Sequence, residues 1–260
     1  MSTVAADDGA ELFVRVDGPA TAPPILFLHS IGCDHRLWDA QAGALNAYRV
    51  IRPDLRGHGR SAAPPGDYPL DRLVADAVAV LDAASATPAV VCGLSLGGLV
   101  AQALALTAPH RVAGLVLAST APRIGAPEAW RDRAAAVRAG GLAAISDMAM
   151  ARFFSDPFRD ARPDVVAAYR SRLEASSPQG YAGCCAALRD ADLTARLGEI
   201  AAPCLVVAGL ADVSTPPDQV RGVAHAIRGA AYREVDAGHL SNVEQPQAFS
   251  DLLRAFLEDL

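Results

Sequence analysis

The stretch from Val90 to Leu99 constrains this chain most strongly. It reads Val-Val-Cys-Gly-Leu-Ser-Leu-Gly-Gly-Leu, so an apolar run leads into Gly-x-Ser-x-Gly and then into a helical pattern. A serine at a sharp turn between a strand and a helix has an exposed hydroxyl, and its neighbours two residues away must be small. Gly93 and Gly97 meet that requirement. The pattern therefore predicts that Ser95 is a nucleophile.

The same turn predicts a site for a developing negative charge. A helix that starts directly after Ser95 presents backbone N–H groups and the positive end of its dipole. The N–H of Leu96 is therefore one expected donor. The second donor is expected from the loop after the apolar run Ile25 to Leu28, where the N–H of Ile31 is the candidate. Together these two groups form the predicted oxyanion hole.

Short apolar runs alternate with longer helical patterns along the 260 residues. Continuously apolar runs are typical of strands that are buried on both faces of a parallel sheet. The predicted strands are Leu12 to Val16, Ile25 to His29, Arg49 to Pro53, Ala89 to Gly93, Gly114 to Ser119, Cys204 to Gly209 and Tyr232 to Asp236. Predicted helices between them include Leu70 to Ala84, Leu99 to Thr107 and Gln219 to Ile227. The alternation predicts an α/β fold with a mostly parallel central sheet flanked by helices.

One segment interrupts this alternation. Between about residues 121 and 200 no strand is predicted, whereas Ala126 to Arg138, Leu142 to Arg152 and Pro163 to Glu174 have helical patterns. We interpret residues 121–199 as a helical lid, or cap, inserted between two strands. Residues 1–120 and 200–260 would then form the core, and the length is suitable for one large sheet.

The partners of Ser95 follow from chain order. With a serine on such a turn, the acid and then the histidine come later in the sequence. Asp212 comes shortly after the predicted strand Leu205 to Gly209, and His239 lies in the loop after the last predicted strand. His239 would accept the Ser95 proton, and Asp212 would orient the imidazole. Asp236 is a weaker candidate for the acid because it lies only three residues before His239.

No metal or nucleotide site is predicted. The remaining histidines that we considered are expected to be solvated, packed or in loops, namely His35, His58, His110 and His225. Asp34 with His35, and Asp54 with His58, are interpreted as hydrogen-bonded loop residues, and no acidic cluster near a histidine is evident. HExxH, GxGxxG and P-loop patterns are absent, so no cofactor is expected.

Composition excludes several classes of protein. The net charge is −6 with both signs interspersed, whereas a nucleic-acid-binding protein would be expected to show a basic face. No apolar stretch approaches the roughly 20 residues that span a bilayer. The N-terminal residues lack a secretory pattern, and the cysteines are odd in number without a CxxC pair. These features predict a cytoplasmic protein with reduced thiols and a small-molecule substrate, and they leave the oligomeric state open.

Several motifs together resemble the α/β-hydrolase superfamily: Gly93 to Gly98, Pro53 to Ser61, and Gly238-His239. Finer motifs are similar to those of the 3-oxoadipate enol-lactonases, namely Leu37 to Gln41, Arg123 to Gly125 with Trp130 and Arg133, Gln179 to Asp190, and His239 to Glu244. The resemblance covers almost the whole chain. It implies the α/β-hydrolase fold and a Ser95, Asp212 and His239 triad.

The resemblance also implies a substrate, a small enol-lactone that carries a carboxylate. Arg133 would bind that carboxylate, and Trp130 would form an apolar wall. Ser30 and Phe153 are further expected pocket residues. This chain departs from the family at two positions, since the family usually has asparagine where His29 stands and tryptophan where Phe153 stands.

Other functions of the same site stay open from sequence alone. A general carboxylesterase or a cofactor-free, haloperoxidase-like perhydrolase would use the same three residues. A ligand receptor of this fold with an inactive triad is a further alternative. Fold and triad are shared across many reactions, so they do not identify the leaving group.

Overall fold

The structure, a computed structural model, describes residues 2–260 and contains one sheet of eight strands. The strands are β1 (Ser2–Ala5), β2 (Glu11–Asp17), β3 (Pro24–Leu28), β4 (Arg49–Pro53), β5 (Ala89–Leu94), β6 (Val112–Ala118), β7 (Cys204–Gly209) and β8 (Ala231–Val235). Their order in the sheet is β1-β2-β4-β3-β5-β6-β7-β8. Strand β2 pairs antiparallel with both of its neighbours, β1 and β4. The remaining pairs, in the order β4-β3-β5-β6-β7-β8, are all parallel. The predicted α/β class with a mostly parallel sheet is confirmed.

The predicted strands agree with the structure to within about two residues at most ends. The strand predicted from Ile25 to His29 is β3, which begins and ends one residue earlier. Strand β1 was not predicted. It has four mostly exposed residues at the sheet edge, so it lacks the apolar pattern on which the other predictions depended.

Helices cover the sheet. They are α1 (Asp39–Ala44), α2 (Leu70–Ala83), α3 (Leu96–Thr107), α4 (Pro127–Gly140), α5 (Ser146–Phe153), α6 (Asp156–Ala161), α7 (Pro163–Glu174), α8 (Pro178–Asp190), α9 (Pro217–Ala226), α10 (Ser241–Glu244) and α11 (Pro246–Glu258). The helices predicted around α2, α3, α7 and α9 are present, although α3 begins three residues earlier than expected. Within residues 2–260, no helix is both long and apolar enough to cross a membrane.

Strand β5 and helix α3 lie at the centre of the core. Every residue of β5 is buried, because β3 and β6 flank it and α3 packs against it. Helix α3 is itself buried over its first ten residues. This burial explains the continuous apolar run before Ser95. Because α3 follows β5 directly, the turn between them lies at the carboxyl end of the parallel strands.

Five helices, α4 to α8, connect β6 to β7, and among the described residues no strand lies in this connection. Helix α4 packs on α8, and α8 contacts the core where Gly180 meets Gly57. A β-carbon on Gly180 would lie 2.0 Å from the Gly57 carbonyl oxygen, so two backbones touch here. The division of the chain into a core and a lid stays a prediction.

Candidate active site

The turn at Ser95 has the strained geometry that its sequence predicts. Ser95 has φ 56° and ψ −116°, a conformation with positive φ that residues other than glycine rarely adopt. Backbone packing explains the flanking glycines: a β-carbon on Gly93 would lie 2.2 Å from the Gly97 carbonyl oxygen, and one on Gly97 would lie 2.1 Å from that of Leu28. The turn is held by Ser95 N–H donating to the Ala118 carbonyl at 3.1 Å and by the Thr120 hydroxyl donating to the Ser95 carbonyl at 2.8 Å.

His239 and Asp212 form a buried pair. The His239 Nδ1 lies 2.8 Å from Asp212 Oδ2, and both residues are at least 96% buried. Because an ionised carboxylate only accepts, Nδ1 must carry the proton, and Nε2 is left as the basic nitrogen. Asp236, the weaker candidate for the acid, is solvent-exposed.

The loop after β7 holds Asp212 as a carboxylate. Its Oδ1 accepts from the Ser214 N–H at 2.7 Å and the Thr215 N–H at 3.0 Å, and its Oδ2 also accepts from the Thr215 hydroxyl at 2.7 Å. Burial raises the pKa of Asp212, but the His239 charge and these hydrogen bonds outweigh burial and lower that pKa below its ordinary value. The acid is thus kept ionised beside the imidazole.

A cavity of about 200 Å³ lies between the sheet and the helices α4, α5 and α8. It brings together the residues predicted from sequence with several others, and its lining includes Ser30, Ile31, Ser95, Trp130, Arg133, Arg152, Phe153, Tyr181, Ser214 and His239. Sites for drug-sized ligands measure about 300–1,000 Å³, so this volume suits a smaller molecule. Leu96 follows Ser95 in the chain, but its side chain is fully buried and is not among these lining residues.

Two candidate donors and one hydroxyl in this region are available to a ligand. In the described part of the chain, neither Ile31 N–H nor Leu96 N–H has a hydrogen-bond acceptor. The Ser30 hydroxyl is also buried without a hydrogen-bond partner there. Buried polar groups are normally paired, so these three groups are suited to receive polar atoms of a bound molecule.

Two buried histidines support the loop that carries Ile31. The His58 Nε2 accepts from the Gly32 N–H at 2.9 Å, and the His29 Nε2 accepts from the Leu55 N–H at 2.8 Å. His58 and Asp54 are thus both hydrogen-bonded loop residues, as interpreted from sequence, but they bind different partners. Burial lowers the pKa of His58 to about 3, and burial also lowers the pKa of His29. Both rings are neutral at physiological pH, as acceptors of these bonds must be.

The true partner of Asp54 is His35. The His35 N–H and Nδ1 both lie 2.7 Å from Asp54 Oδ1, and the Arg60 N–H donates to Oδ2 at 2.8 Å. With Asp34 they form an acidic cluster beside a histidine, which sequence inspection did not detect because the two aspartates are 20 residues apart. These bonds already engage both oxygens of Asp54. We therefore interpret the cluster as a set of hydrogen bonds that joins two loops.

Comparison with known proteins defines the class to which this fold and site belong. The model of the α/β hydrolase fold family matches residues 23–246. The chain therefore belongs to the α/β hydrolase fold family.

Individual relatives are more specific. 3-Oxoadipate enol-lactonase 2 of Acinetobacter baylyi is 38% identical over 242 residues, which cover 93% of this chain and 91% of the relative. The crystal structure of the enol-lactonase from Burkholderia xenovorans matches with a TM-score of 0.96 and 38% identity, over 99% of this chain and 100% of that one. A thermophilic esterase from Thermogutta terrifontis matches with a TM-score of 0.93 and 30% identity, over 99% and 98%.

Sequence reasoning missed several residues of the site. Arg152, Tyr181 and Ser214 line the cavity, and His58 supports the loop of Ile31. Arg152 adjoins Phe153 and so could have been found from its neighbour. His58 gave no such signal, since its partner Gly32 lies 26 residues away in the chain.

Proposed function

We propose that this chain hydrolyses 3-oxoadipate enol-lactone to 3-oxoadipate through an acyl-enzyme on Ser95. One observation carries the proposal: a single small cavity contains Ser95 and His239 together with an arginine on an aromatic ring, Arg133 on Trp130. The first two are a nucleophile and a base, and the last two suit a carboxylate on a small ring. Relatives named for this reaction over nearly the full length support the same substrate.

The first half of the reaction opens the lactone ring. His239 Nε2 takes the proton of the Ser95 hydroxyl while its oxygen attacks the lactone carbonyl carbon. The N–H groups of Ile31 and Leu96 stabilise the resulting oxyanion. Collapse of this intermediate breaks the bond between the acyl carbon and the ring oxygen. The enol oxygen leaves, takes the proton from His239, and the enol becomes a ketone.

The second half releases the product. A water molecule gives a proton to His239 and attacks the acyl carbon, and the tetrahedral intermediate then expels the Ser95 oxygen, which recovers its proton. Asp212 stabilises the imidazolium in both halves. Ser30 would hydrogen-bond the substrate, a role supported by a hydroxyl that has no partner among residues 2–260 and by its position in the cavity wall.

Residues 121–199 act as the lid in this account. Helices α4 and α5 supply Trp130, Arg133 and Phe153 to the cavity wall, while the core supplies Ser95 and His239. The lid therefore selects the substrate and the core performs the chemistry. Phe153 offers an apolar face where related enol-lactonases are expected to carry tryptophan.

A reducing compartment, the cytoplasm, suits this chain. The five cysteines are all free and buried. Burial raises the pKa of Cys185 and of Cys204 to about 12, so these thiols are unreactive.

The test is to incubate the purified protein with 3-oxoadipate enol-lactone and follow its ultraviolet absorbance, with a p-nitrophenyl ester and Ser95→Ala alongside. We expect rapid loss of the lactone in the wild type and none above background in Ser95→Ala. Ser95-dependent cleavage of the ester without loss of the lactone would contradict the lactonase activity and would support a carboxylesterase activity instead. No Ser95-dependent turnover would contradict both.

A further inference from the structure

The charged side chains that face the cavity are positive, and the other basic group there is the imidazole of His239. Among its described lining residues the ionised side chains are Arg133 and Arg152, and no aspartate or glutamate is present. Asp212, whose charge acts on Arg152, is engaged by His239 and Thr215. The cavity therefore carries two cationic groups without a protein anion to neutralise them.

Arginines elsewhere in the chain are mostly paired. Arg56, for example, is buried and bound to both Asp8 and Asp76 at 2.7–2.8 Å. Within residues 2–260 neither Arg133 nor Arg152 has a carboxylate within 4.0 Å. The two arginines that share a cavity with Ser95 thus lack a carboxylate partner. Arg133 does hydrogen-bond Tyr181, but this neutral partner leaves the positive charge of Arg133 uncompensated.

The two guanidinium groups act on each other. Burial lowers the pKa of Arg152, and the positive charge of Arg133 lowers it further. Like charges held together destabilise each other unless an anion lies between them. A bound carboxylate would relieve this repulsion, since it offers about four acceptor positions and can take two arginine forks at once.

The two arginines lie on different helices. Arg133 lies on α4 and its guanidinium carbon is 4.4 Å from the centre of the Trp130 ring. Arg152 lies in the last turn of α5, where its carbonyl accepts from the Ser214 hydroxyl at 3.5 Å. Ser214 in turn belongs to the loop that holds Asp212. Burial desolvates only part of the Arg152 side chain, and the residue as a whole is solvent-exposed, so an incoming anion can reach it.

We propose that Arg152 completes, with Arg133, a two-arginine clamp for one carboxylate at the far end of the acyl chain that Ser95 attacks. This inference rests on the proposed function, and it adds a specificity residue to it. The clamp makes the site selective for esters and lactones whose acyl part ends in a carboxylate, and it holds that end away from the oxyanion hole.

Two esters that differ only at the far end test the clamp. Opening of the enol-lactone leaves a six-carbon acyl chain with a terminal carboxylate, and p-nitrophenyl hydrogen adipate gives the same chain length and charge. p-Nitrophenyl hexanoate is its neutral match. We expect Arg152→Gln to raise KM for the adipate ester by about 10- to 100-fold, the effect of losing a charge-assisted hydrogen bond, with little change for the hexanoate.

Matched variants separate charge at this position from charge in general. Arg131→Gln removes an exposed arginine two residues from Arg133 on α4, outside the cavity, and should leave KM for both esters unchanged. Arg133→Gln should affect the adipate ester selectively, as Arg152→Gln does. Arg152→Lys keeps the charge without the fork and should restore KM in part. Activity on the hexanoate reports that each variant is folded.

The outcomes distinguish the clamp from the proposed function. If the wild type cleaves the enol-lactone but Arg152→Gln changes KM for both esters equally or for neither, the clamp is wrong and the function stands. If the wild type fails on the lactone yet prefers the adipate ester in an Arg152-dependent way, the function is wrong and the clamp stands. Adipate itself should raise Tm of the wild type more than that of Arg152→Gln, and equal shifts or none would overturn the clamp without any turnover.

Discussion

At the scale of single residues, the site depends on the orientation of one imidazole. The short contact between His239 Nδ1 and Asp212, with two N–H groups and a hydroxyl holding the carboxylate, leaves one tautomer of the ring. That tautomer presents an unprotonated Nε2, which is what the base for Ser95 requires.

Asp212→Asn should therefore lower kcat by about 10⁴-fold, because an amide can donate to Nδ1 and stabilise the wrong tautomer. The measurement is steady-state kinetics with the enol-lactone or an active ester. Asp236→Asn, which changes an exposed aspartate three residues before His239, is the control and should retain wild-type kinetics. Near-normal turnover by Asp212→Asn would show that another group orients the histidine.

At the scale of elements, the segment between β6 and β7 contacts the rest of the fold through a direct contact between two backbones. The contact of α8 with the loop of Gly57 leaves no space for a side chain at Gly180. The neighbouring His58 in the same loop then reaches Gly32 beside Ile31. One loop thus contacts both α8 and the segment that carries Ile31, the proposed oxyanion-hole donor.

Gly180→Ala should destabilise the protein, since its β-carbon would lie 2.0 Å from a backbone oxygen. Overpacking of this kind typically costs about 1–3 kcal/mol, and backbone yields less readily than side chains. Urea unfolding measures the effect. Gly222→Ala, in α9 with no atom within 4 Å of the new β-carbon, should instead be neutral or gain about 1 kcal/mol from helix propensity. Equal stability of the two variants would contradict the close docking of α8.

Sequence patterns predicted the parts of this site that are local or ordered along the chain. The turn at Ser95 is encoded by its own two glycines, and the strand before it by an apolar run. His239 and Asp212 followed from chain order. Contacts between distant segments carry no such pattern, so the support that His58 gives to Gly32 was not predicted. Strand β1 was missed for a different reason: its residues are mostly exposed, so pairing with β2 rather than burial defines it.

At the scale of the whole molecule, buried neutral histidines make stability depend on pH. The pKa of His58 is about 3 in the folded chain against 6.5 when unfolded, and that of His29 is also lowered. Between these values the unfolded chain binds more protons than the folded one, so stability is fully present above pH 6.5 and falls as the pH drops towards 3. The lowered pKa of Asp34, about 2 against 3.8, extends the loss below pH 3.8.

We therefore expect the free energy of unfolding in urea to fall by a few kcal/mol between pH 7.5 and pH 4.5, at about 1.4 kcal/mol for each pH unit and each group. His58→Gln removes one of these groups and should give a shallower slope over this range, from a lower starting stability. A free energy of unfolding that is flat from pH 7.5 to 4.5 would contradict this, because it would mean that folding does not lower the pKa values of these histidines.

Covalent labelling shows whether Ser95 is an activated nucleophile in an intact site. The wild type and Ser95→Ala are incubated with a fluorophosphonate probe, and the modified residue is located by peptide mass spectrometry. We expect one label, on Ser95, and none in Ser95→Ala. A wild-type chain that is not labelled, or a label that persists in Ser95→Ala, would contradict this role of Ser95.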